Sequence, residues 1–487
     1  MTYESADLFR RYYLAGKGKK LDNTPQLTDT TKRLGEAPLG RLILSLSLPG
    51  MVSMIIVSLY NIIDTFWVAK LGHEAIAALT VILPYHVFAI AVAAGTGVGI
   101  GALVSRRFGE RNIEATNHAA GQIFPVSIFS GGIFILAGVL LSRPLLNVLG
   151  ATPDIMEYGT QYLVIISFGM PFMIFSIPMS SLFRGSGDAL RPMIFMIVAG
   201  VVNMILDPLL IFGIGPFPEL GVRGAAIATA FAQFIGAGLP FFYIVTNRSA
   251  YRIKLRHIFP SLPILRDIYR IGLPSMIIEF TESLMFILLN NVLATFGSLA
   301  IAAVGITIRI IDFAFMPIIG ISQGLLPIIG FNFGARLWNR LWSAVRMASL
   351  GLVLLLGVST VIMEILTPQL IGIFSKDPDL LAVAVPAMRI ILSSLVIIGP
   401  TIQFITVFQG LSKGKEVLIL SLARQFIFFA PALLLLSRFI GIYGAWLSIP
   451  ISDTLGFIVA GLWLFREYNI QRQKGSWEDI PAVKTED

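Results

Sequence analysis

Apolar residues fall into long runs along this chain, and polar residues collect in the short stretches between them. A run of roughly 20 apolar residues lets an α-helix cross about 30 Å of hydrocarbon. The pattern therefore predicts an all-α, polytopic membrane protein with about twelve transmembrane helices. The predicted spans are residues 43–69, 76–104, 119–141, 158–182, 192–213, 223–246, 271–296, 301–331, 343–371, 381–409, 417–437 and 444–465.

The composition supports this prediction. Of the 487 residues, 56% are hydrophobic and 13% are charged, whereas about a quarter of the residues in soluble proteins are charged. An apolar excess of this size requires lipid as the solvent for much of the surface. The chain has no cysteine, which excludes disulfides, thiolate metal sites and cysteine nucleophiles, and the spacing of its four histidines matches no metal motif.

Basic residues collect in alternate loops, which predicts the orientation. The basic loops carry Arg106, Arg107 and Arg111; Arg184 and Arg191; Arg248, Arg252, Lys254 and Arg256; Arg336 and Arg340; and Lys413 and Lys415. Such loops face the cytoplasm, so both termini are predicted to be cytoplasmic in a multi-pass plasma membrane protein. Loops Leu71–Ala75 and Gly297–Ala300 are predicted to be external. The net charge of +8 then reflects these loops rather than binding to nucleic acid.

The chain repeats itself at a shift of 225 residues. Leu48-Pro49 meets Leu273-Pro274, and Ala75–Ala78 meets Ala300–Ala303. The shift spans six helices, so it predicts two parallel six-helix lobes related by a pseudo-twofold axis along the membrane normal, with a cavity between them. The predicted parts are a polar basic cytoplasmic segment (1–40), a first lobe (41–247), a cytoplasmic linker (248–270), a second lobe (271–467) and a cytoplasmic tail (468–487).

Two acidic residues lie inside predicted spans of the first lobe. Asp64 and Asp207 each lie about six residues from the outer end of a span, and Asn203 shares a helix face with Asp207. Thr229 lies at a similar depth, roughly 9 Å below the outer surface. Pro208 removes a backbone donor and can leave a carbonyl free to bind a cation or water. Oxygen ligands of this kind predict a site for a proton or for Na⁺.

The alternative is that these acids take part only in structural hydrogen bonds. In the repeat, Leu289 corresponds to Asp64, and Ala430, beside Pro431, corresponds to Asp207. Because the second lobe does without acids at these places, function explains them better, as it does for most acids buried in membranes.

The second lobe carries other charged residues inside its spans. Glu279 and Glu282 are three residues apart on the seventh span and are candidates for the lining of the cavity or for a cytoplasmic gate. Arg309 and Asp312 are three apart on the eighth span, and this spacing favours an internal ion pair between them, with a place in the cavity or gate as the alternative.

Three further charges lie in the last three spans. Arg389 and Asp453 lie deep in the tenth and twelfth spans, so Asp453 is a candidate either for a structural ion pair with Arg389 or for the cavity or gate. Arg424 lies near the inner end of a helix, where a long side chain is expected to extend to the membrane surface.

Four sequence segments resemble those of multidrug and toxic compound extrusion (MATE) transporters, and the resemblance covers roughly residues 40–467. The segments are Asn-Ile-Ile-Asp-Thr-Phe-Trp-Val at 61–68, Arg-Gly-Ser-Gly-Asp at 184–188, Asn-Met-Ile-Leu-Asp-Pro at 203–208 and Gly-Ala-Ala-Ile-Ala-Thr at 224–229. The resemblance implies an antiporter that exports organic cations against H⁺ or Na⁺.

The resemblance also implies which residues bind the coupling cation. Asp64, Asn203, Asp207 and Thr229 correspond to the first-lobe cation site of the DinF-like branch. The NorM-like branch uses an acid on helix seven and one on helix ten. The tenth span here offers Arg389 and no acid, so that second-lobe site is incomplete and the DinF-like branch is favoured.

We therefore expect an antiporter that works by alternating access, with no catalytic residue and no cofactor besides the coupling ion H⁺ or Na⁺. The expected partners are organic cation substrates and the lipid bilayer, with no nucleic acid, and the chain is predicted to be monomeric.

The main alternative is a flippase for lipid-linked oligosaccharide or peptidoglycan precursor, whose cavity needs cations to hold pyrophosphate. A membrane-embedded prenyl transferase lacks support because the chain has no matching acidic cluster, and a passive channel needs no coupled acids.

Overall fold

The computed structural model describes residues 29–246 and 248–473, and regular secondary structure in this part of the chain is helical. The sequence-predicted segments 1–28 and 474–487 lie outside the described residues. The helices up to the linker are α1 (Asp29–Glu36), α2 (Leu39–Ala69), α3 (His73–Gly109), α4 (Ile113–Gly121), α5 (Ile123–Leu140), α6 (Ser142–Val148), α7 (Met156–Gly185), α8 (Leu190–Phe212) and α9 (Val222–Val245).

The linker and the second lobe continue the series. A short helix α10 (Leu255–Ile258) lies in the linker. The second lobe contains α11 (Leu262–Ala294), α12 (Ser298–Gly334), α13 (Trp338–Ile365), α14 (Thr367–Phe374), α15 (Pro378–Leu392), α16 (Leu395–Gly410), α17 (Gly414–Leu422), a π-helical segment (Ala423–Phe429), α18 (Ala430–Ile440) and α19 (Ile442–Gln473).

The predicted number of membrane spans is confirmed. Among the described residues, eleven helices or continuous helix pairs are long and apolar enough to cross a membrane. A twelfth span is formed by α15 and α16, which meet at a bend of 46°. Ser393 and Ser394 lie at this bend, and the Ser393 hydroxyl donates to the carbonyl of Ile390 at 2.6 Å.

Some boundaries differ from the predicted ones. Helix α11 begins at Leu262, so part of the predicted linker 248–270 is the first two turns of the seventh span. The eleventh span is interrupted by the π-helical segment, which lies directly before Ala430. A hydropathy pattern does not reveal a short π-helical segment, because the π turn leaves the run of apolar residues unchanged.

Glycine marks the same turn in both lobes. The N-caps of α3 and α12 are Gly72, with φ of 117°, and Gly297, with φ of 99°. Residues other than glycine rarely adopt such a backbone conformation. The two turns occupy matching positions of the repeat, which is a local reason why the 225-residue shift is visible in the sequence.

The two lobes pack together at the end of the molecule that carries the basic loops. A Cβ atom on Gly50 of α2 would lie 3.3 Å from the Cα atom of Gly320 in α12. One on Gly99 of α3 would lie only 2.3 Å from the carbonyl oxygen of Ile268 in α11. Buried apolar residues of both lobes form one continuous cluster at this end. Small residues therefore bring the helices of the two lobes into direct contact.

At the opposite end, the buried apolar residues of the two lobes form separate clusters. One cluster belongs to the first lobe and two belong to the second. The lobes thus share a core at the basic end and have their own cores at the other end. This arrangement defines a V shape whose cleft widens away from the basic loops.

Candidate functional site

Helices α2 and α8 approach each other closely in the first lobe. A Cβ atom on Gly200 of α8 would lie 3.2 Å from Ile56 and 3.9 Å from Tyr60, both on α2. Asn203 and Asp207 lie on the same face of α8 as Gly200, one and two turns further along, and Asp64 lies one turn beyond Tyr60 on α2. The close contact at Gly200 therefore directs the two acids toward each other.

The structure brings together all four residues of the predicted cation site. The Asn203 side-chain Nδ2 donates to Asp207 Oδ1 at 3.2 Å and to Thr229 Oγ1 of α9 at 3.4 Å. The carboxyl groups of Asp64 and Asp207 interact directly with each other. Asp207 is fully buried and Asn203 is nearly so. Three helices thus place two carboxyl groups, an amide and a hydroxyl in one group.

Two tyrosines also belong to this group and are not among the residues predicted from the sequence. Tyr162 of α7 is buried, and its hydroxyl interacts with Thr229 and lies near both acids. Tyr60 of α2 lies beside Asp64. A tyrosine in a membrane helix is ordinary in sequence, and Tyr162 is 67 residues before Thr229 along the chain. Depth in the span makes Tyr162 one of several candidates, and only the packing of α7 against α9 selects it.

The site has more buried acceptors than donors. The oxygen atoms Asp64 Oδ1, Asn203 Oδ1 and Asp207 Oδ2 are buried and have no hydrogen-bond partner among the described residues. Buried acceptors without a donor are costly in free energy. Two carboxyl groups that face each other also repel unless a cation or a proton lies between them. Oxygen atoms alone suit H⁺ or a hard cation such as Na⁺.

No protein cation neutralises these acids within the part of the chain that the structure describes. The ion pairs found there involve other carboxylates, and Asp64 and Asp207 take part in none of them. The acids are therefore available to a cation that comes from outside the protein.

The matching place in the second lobe is apolar. Leu289 and Ala430, the repeat counterparts of Asp64 and Asp207, belong to or pack against one buried apolar cluster. The counterparts of Tyr162 and Thr229, at the shifts that align the surrounding segments, are Ala387 and Ile449, which belong to the same cluster or pack against it. The repeated fold is therefore complete without polar groups at this place.

The expected ion pair between Asp453 and Arg389 is wrong. Asp453 is buried and accepts a hydrogen bond from Arg424 Nε at 3.1 Å and another from Ser394 Oγ at 2.8 Å. Arg389 lies instead 3.5 Å from Glu364 of α13. Arg424 was expected to extend to the membrane surface. It turns inward because the buried carboxylate offers a partner.

The expected ion pair between Arg309 and Asp312 is also not formed, and the ion pairs of the described residues do not include it. Both side chains are exposed. Gly320 of α12 contacts the first lobe, and Arg309 lies three turns before it on the same face. Arg309 therefore lies on the side of α12 that faces the cleft, and Asp312, one turn later on the same helix, is exposed rather than paired with it.

Glu279 and Glu282 lie just beyond the closed end of the cleft. Met276 of α11 contacts Gly95 of the first lobe, and Glu279 follows one turn later on the same helix face. Both glutamates are exposed, and Glu282 lies near Arg424. This position agrees with lining of the cavity at its floor, and whether the pair acts as a gate stays a prediction.

Comparisons with known proteins identify the family. The family model described as MatE matches this chain twice, at residues 49–209 and 274–434, and the two matches begin 225 residues apart. The chain is 27% identical to the multidrug export protein MepA of Staphylococcus saprophyticus over 85% of this chain and 91% of that protein. It is 26% identical to MepA of Staphylococcus haemolyticus over 90% of this chain and 95% of that protein.

Solved structures show the same architecture. One, described as the outward-facing conformation of a multidrug resistance MATE family transporter of the MOP superfamily, has a TM-score of 0.86 and 27% identity, and the match covers 92% of this chain and 100% of that chain. A MOP superfamily transporter from Pyrococcus furiosus, described as having a binding pocket of reversed polarity that suggests a different function, has a TM-score of 0.85 and 26% identity, over 92% and 99% of the two chains. The two matches to the family model together cover more than half of this chain. This two-lobed chain therefore belongs to the MATE family of membrane transporters.

Proposed function

We propose that the protein is a secondary active antiporter that exports organic cations in exchange for H⁺ or Na⁺. The observation that carries this proposal is the pair of facing acids, Asp64 and Asp207, each of which has a buried oxygen without a donor and neither of which has a cationic partner among the described residues. The MepA relatives, which are described as multidrug export proteins, support the substrate class. The DinF-like branch stays a prediction from the sequence.

Coupling requires that the cation and the drug prefer different states of the transporter. In this structure the two lobes are in contact at the end with the basic loops, and the cleft between them opens at the opposite end. A solved relative described as outward-facing has the same architecture. A cation between Asp64 and Asp207 would draw α2 and α8 together in the first lobe. We propose that this contraction favours the state that releases the drug, and that loss of the cation favours the state that binds it from the cytoplasm.

The proposed location is the cytoplasmic membrane, with both termini in the cytoplasm. Helix α1 contacts the basic end through the bond from Thr31 Oγ1 to the Ser186 carbonyl, at 3.0 Å. Near the other end of the chain, Glu467 of α19 pairs with Lys413 in a basic loop. Both ends of the described chain therefore lie at the face that the positive-inside rule assigns to the cytoplasm.

Labelling of single cysteines tests this orientation, because the chain has no native cysteine. Gly72 and Gly297 adopt positive φ angles, so the exposed neighbours His73 and Ser298 are better sites. His73→Cys and Ser298→Cys should react with impermeant thiol reagents from outside intact cells. Reaction only after the cells are opened would reverse the proposed orientation.

The cleft between the lobes is the proposed drug site. Its second-lobe side carries Glu279 and Glu282 near the floor and Asp312 further out, and these acids favour positively charged substrates. Because one chain contains both lobes and the whole acid group, we propose the monomer as the transporting unit.

The flippase alternative is less well supported. A site for pyrophosphate needs cations that are free to bind phosphate oxygens. Of the arginines that favoured this alternative, Arg389 lies beside Glu364 and only Arg309 is exposed at the cleft without an ion pair in the described residues. Arg424 is also engaged, with Asp453.

Transport by the purified protein in liposomes tests the proposal. A fluorescent organic cation should move against its own gradient when a pH gradient or a Na⁺ gradient of the correct direction is imposed. The gradient that drives transport identifies the coupling ion. Transport that follows neither gradient would contradict antiport, and movement of a pyrophosphate lipid in its place would favour the flippase.

A further inference from the structure

The linker between α9 and α11 is held firmly against the first lobe. Tyr251 and His257 are fully buried. The Tyr251 hydroxyl donates to the carbonyl of Leu182 in α7 at 2.5 Å, and Asn117 Oδ1 of α4 accepts a hydrogen bond from the Arg252 backbone N–H at 2.9 Å. One side of this short connection is therefore fixed by buried polar contacts rather than lying free in water.

Gln122, at the junction of α4 and α5, fixes the second part of the linker. Its Nε2 donates to the carbonyls of His257 at 3.1 Å and Phe259 at 3.0 Å, and its Oε1 accepts from the Ser261 N–H at 2.8 Å. A Cβ atom on the adjacent Gly121 would lie 2.2 Å from the His257 carbonyl oxygen. Glycine is therefore needed at this position for the linker backbone to reach α4.

A cluster of Glu114, His118 and His257 resembles a metal site, with its ligand atoms within 4.8 Å of one another. The hydrogen bonds give it another role. His257 Nδ1 accepts the Lys254 N–H at 3.1 Å, and its Nε2 lies 3.0 Å from Glu114 Oε1 and 3.2 Å from Arg256 Nε. Arg256 Nη2 also donates to Glu114 Oε1 at 2.6 Å, so this carboxylate already has a cationic partner. The cluster therefore fastens the linker to α4.

The opposite side of the linker is apolar and basic. Leu255 is 75% exposed, Phe259 is 67% exposed and Leu262 is 79% exposed. Four exposed basic residues lie near them along the chain, with Asp267 as a nearby exposed acid. The basic residues are Arg252, Lys254, Arg266 and Arg270, whereas Arg256 pairs with Glu114 of α4.

The position of this face along the membrane normal follows from the third span. Helices α4 and α5 together cover 28 residues from Ile113 to Leu140, or about 42 Å, which exceeds the hydrocarbon thickness of about 30 Å. Polar residues occupy the first two turns, and the apolar run begins at Ile123. Counting about 20 residues back from Leu140 places the hydrocarbon boundary near Gln122. The carbonyl of Phe259 accepts a hydrogen bond from Gln122, so Phe259 lies at that boundary.

We propose that residues 252–262 form an interfacial anchor that binds an anionic phospholipid surface. Leu255, Phe259 and Leu262 enter the boundary between acyl chains and headgroups, and Arg252 and Lys254 contact lipid phosphates. Exposed apolar groups combined with basic residues at this depth are typical of segments that lie in the membrane interface. The proposal depends neither on the coupling ion nor on the direction of transport.

The depth of Phe259 tests the apolar part of the anchor. A spin label on Phe259→Cys, in protein reconstituted into nanodiscs that contain phosphatidylglycerol, should be more accessible to oxygen than to a water-soluble nickel complex. A label on Lys415→Cys, in a basic loop of the second lobe, should show the opposite preference. Equal access of the nickel complex to both labels would overturn the proposal. It would indicate that this face lies in water, where a protein partner rather than lipid would cover it.

The lipid headgroup tests the basic part. Phosphatidylglycerol should raise the unfolding temperature of the wild type, and Arg252→Gln/Lys254→Gln should lose at least half of this increase. The matched double variant Arg336→Gln/Lys415→Gln removes the same charge from other basic loops and should keep the increase. Inorganic phosphate should give no increase. An equal loss in both double variants, or an equal increase with free phosphate, would overturn the proposal.

Discussion

Buried carboxylates have different partners in the two lobes. In the second lobe, Asp453 is paired with Arg424 at 3.1 Å and with Ser394 at 2.8 Å. In the first lobe, Asp64 and Asp207 face each other, and each has a buried oxygen without a partner among the described residues. An arginine neutralises a buried acid permanently, whereas an acid without one can be neutralised by a transported cation. The difference separates a structural charge from a candidate coupling site.

The repeat strengthens this comparison, because both lobes have the same helix arrangement. The places of Asp64 and Asp207 are taken by Leu289 and Ala430 in an apolar cluster of the second lobe. The fold is stable with apolar residues there, so packing gives no reason for acids in the first lobe.

Removal of Arg424 should have the largest effect on stability. Arg424→Leu leaves Asp453 buried without its cation, and we expect a loss of about 3–5 kcal/mol in the free energy of unfolding. The measurement is unfolding of the purified protein in detergent. Adding Asp453→Asn should restore most of the loss. Asp207→Asn should change stability far less, and equal losses in the two lobes would remove the distinction between them.

Leu289→Ala tests the apolar counterpart of Asp64. The substitution opens a cavity in the second-lobe cluster, and a loss of about 2–4 kcal/mol in the free energy of unfolding is expected. The number of coupling ions moved for each drug molecule should not change. A changed ratio in liposomes, with the protein still folded, would show that the second lobe also takes part in coupling.

Tyr162→Phe removes a hydroxyl that interacts with Thr229. Loss of one hydrogen bond of about 1 kcal/mol should weaken the apparent affinity for the coupling ion roughly fivefold. Tyr85→Phe is the matched control, because Tyr85 bonds Phe134 and Ser167 elsewhere in the first lobe. If both variants lower the affinity equally, Tyr162 acts only through the stability of the lobe.

Thr229→Ala should have the smallest effect. Thr229 Oγ1 lies 3.4 Å from Asn203 Nδ2, which is a long and weak bond. We expect an approximately two- to threefold weaker affinity for the coupling ion, measured by the ion concentration that gives half-maximal efflux. Asn203→Ala should have a larger effect, since Asn203 also donates to Asp207. The reverse order would place Thr229 as a direct ligand.

Much of the fold follows from the sequence, because a membrane span has a length and an apolar composition that the chain shows directly. The depth of Asp64, Asp207 and Thr229 in their spans was also sufficient to predict that they meet. Depth does not give the rotation of a helix or its neighbours. Tyr162 was missed for that reason.

The same limit explains the wrong partner for Asp453. Both Arg389 and Arg424 lie inside spans of the second lobe, and the sequence does not show which helix face each one occupies. The π-helical segment Ala423–Phe429 includes Arg424, and a π turn shifts the face of the residues after it. Hydropathy contains no signal for such a turn. Arg309 and Asp312 show that a spacing of three residues permits an ion pair without requiring one.

The most direct test of the central claim is coupled transport by Asp64→Asn, Asp207→Asn and the double variant in liposomes. Each substitution removes charge with little change in volume, so folding should be kept. We predict that each single variant inserts and folds but loses both drug efflux and the coupled uptake of H⁺ or Na⁺, and that the double variant loses no more than either. Near wild-type coupled transport by the double variant would contradict the account and would direct the search to Glu279 and Glu282 in the second lobe.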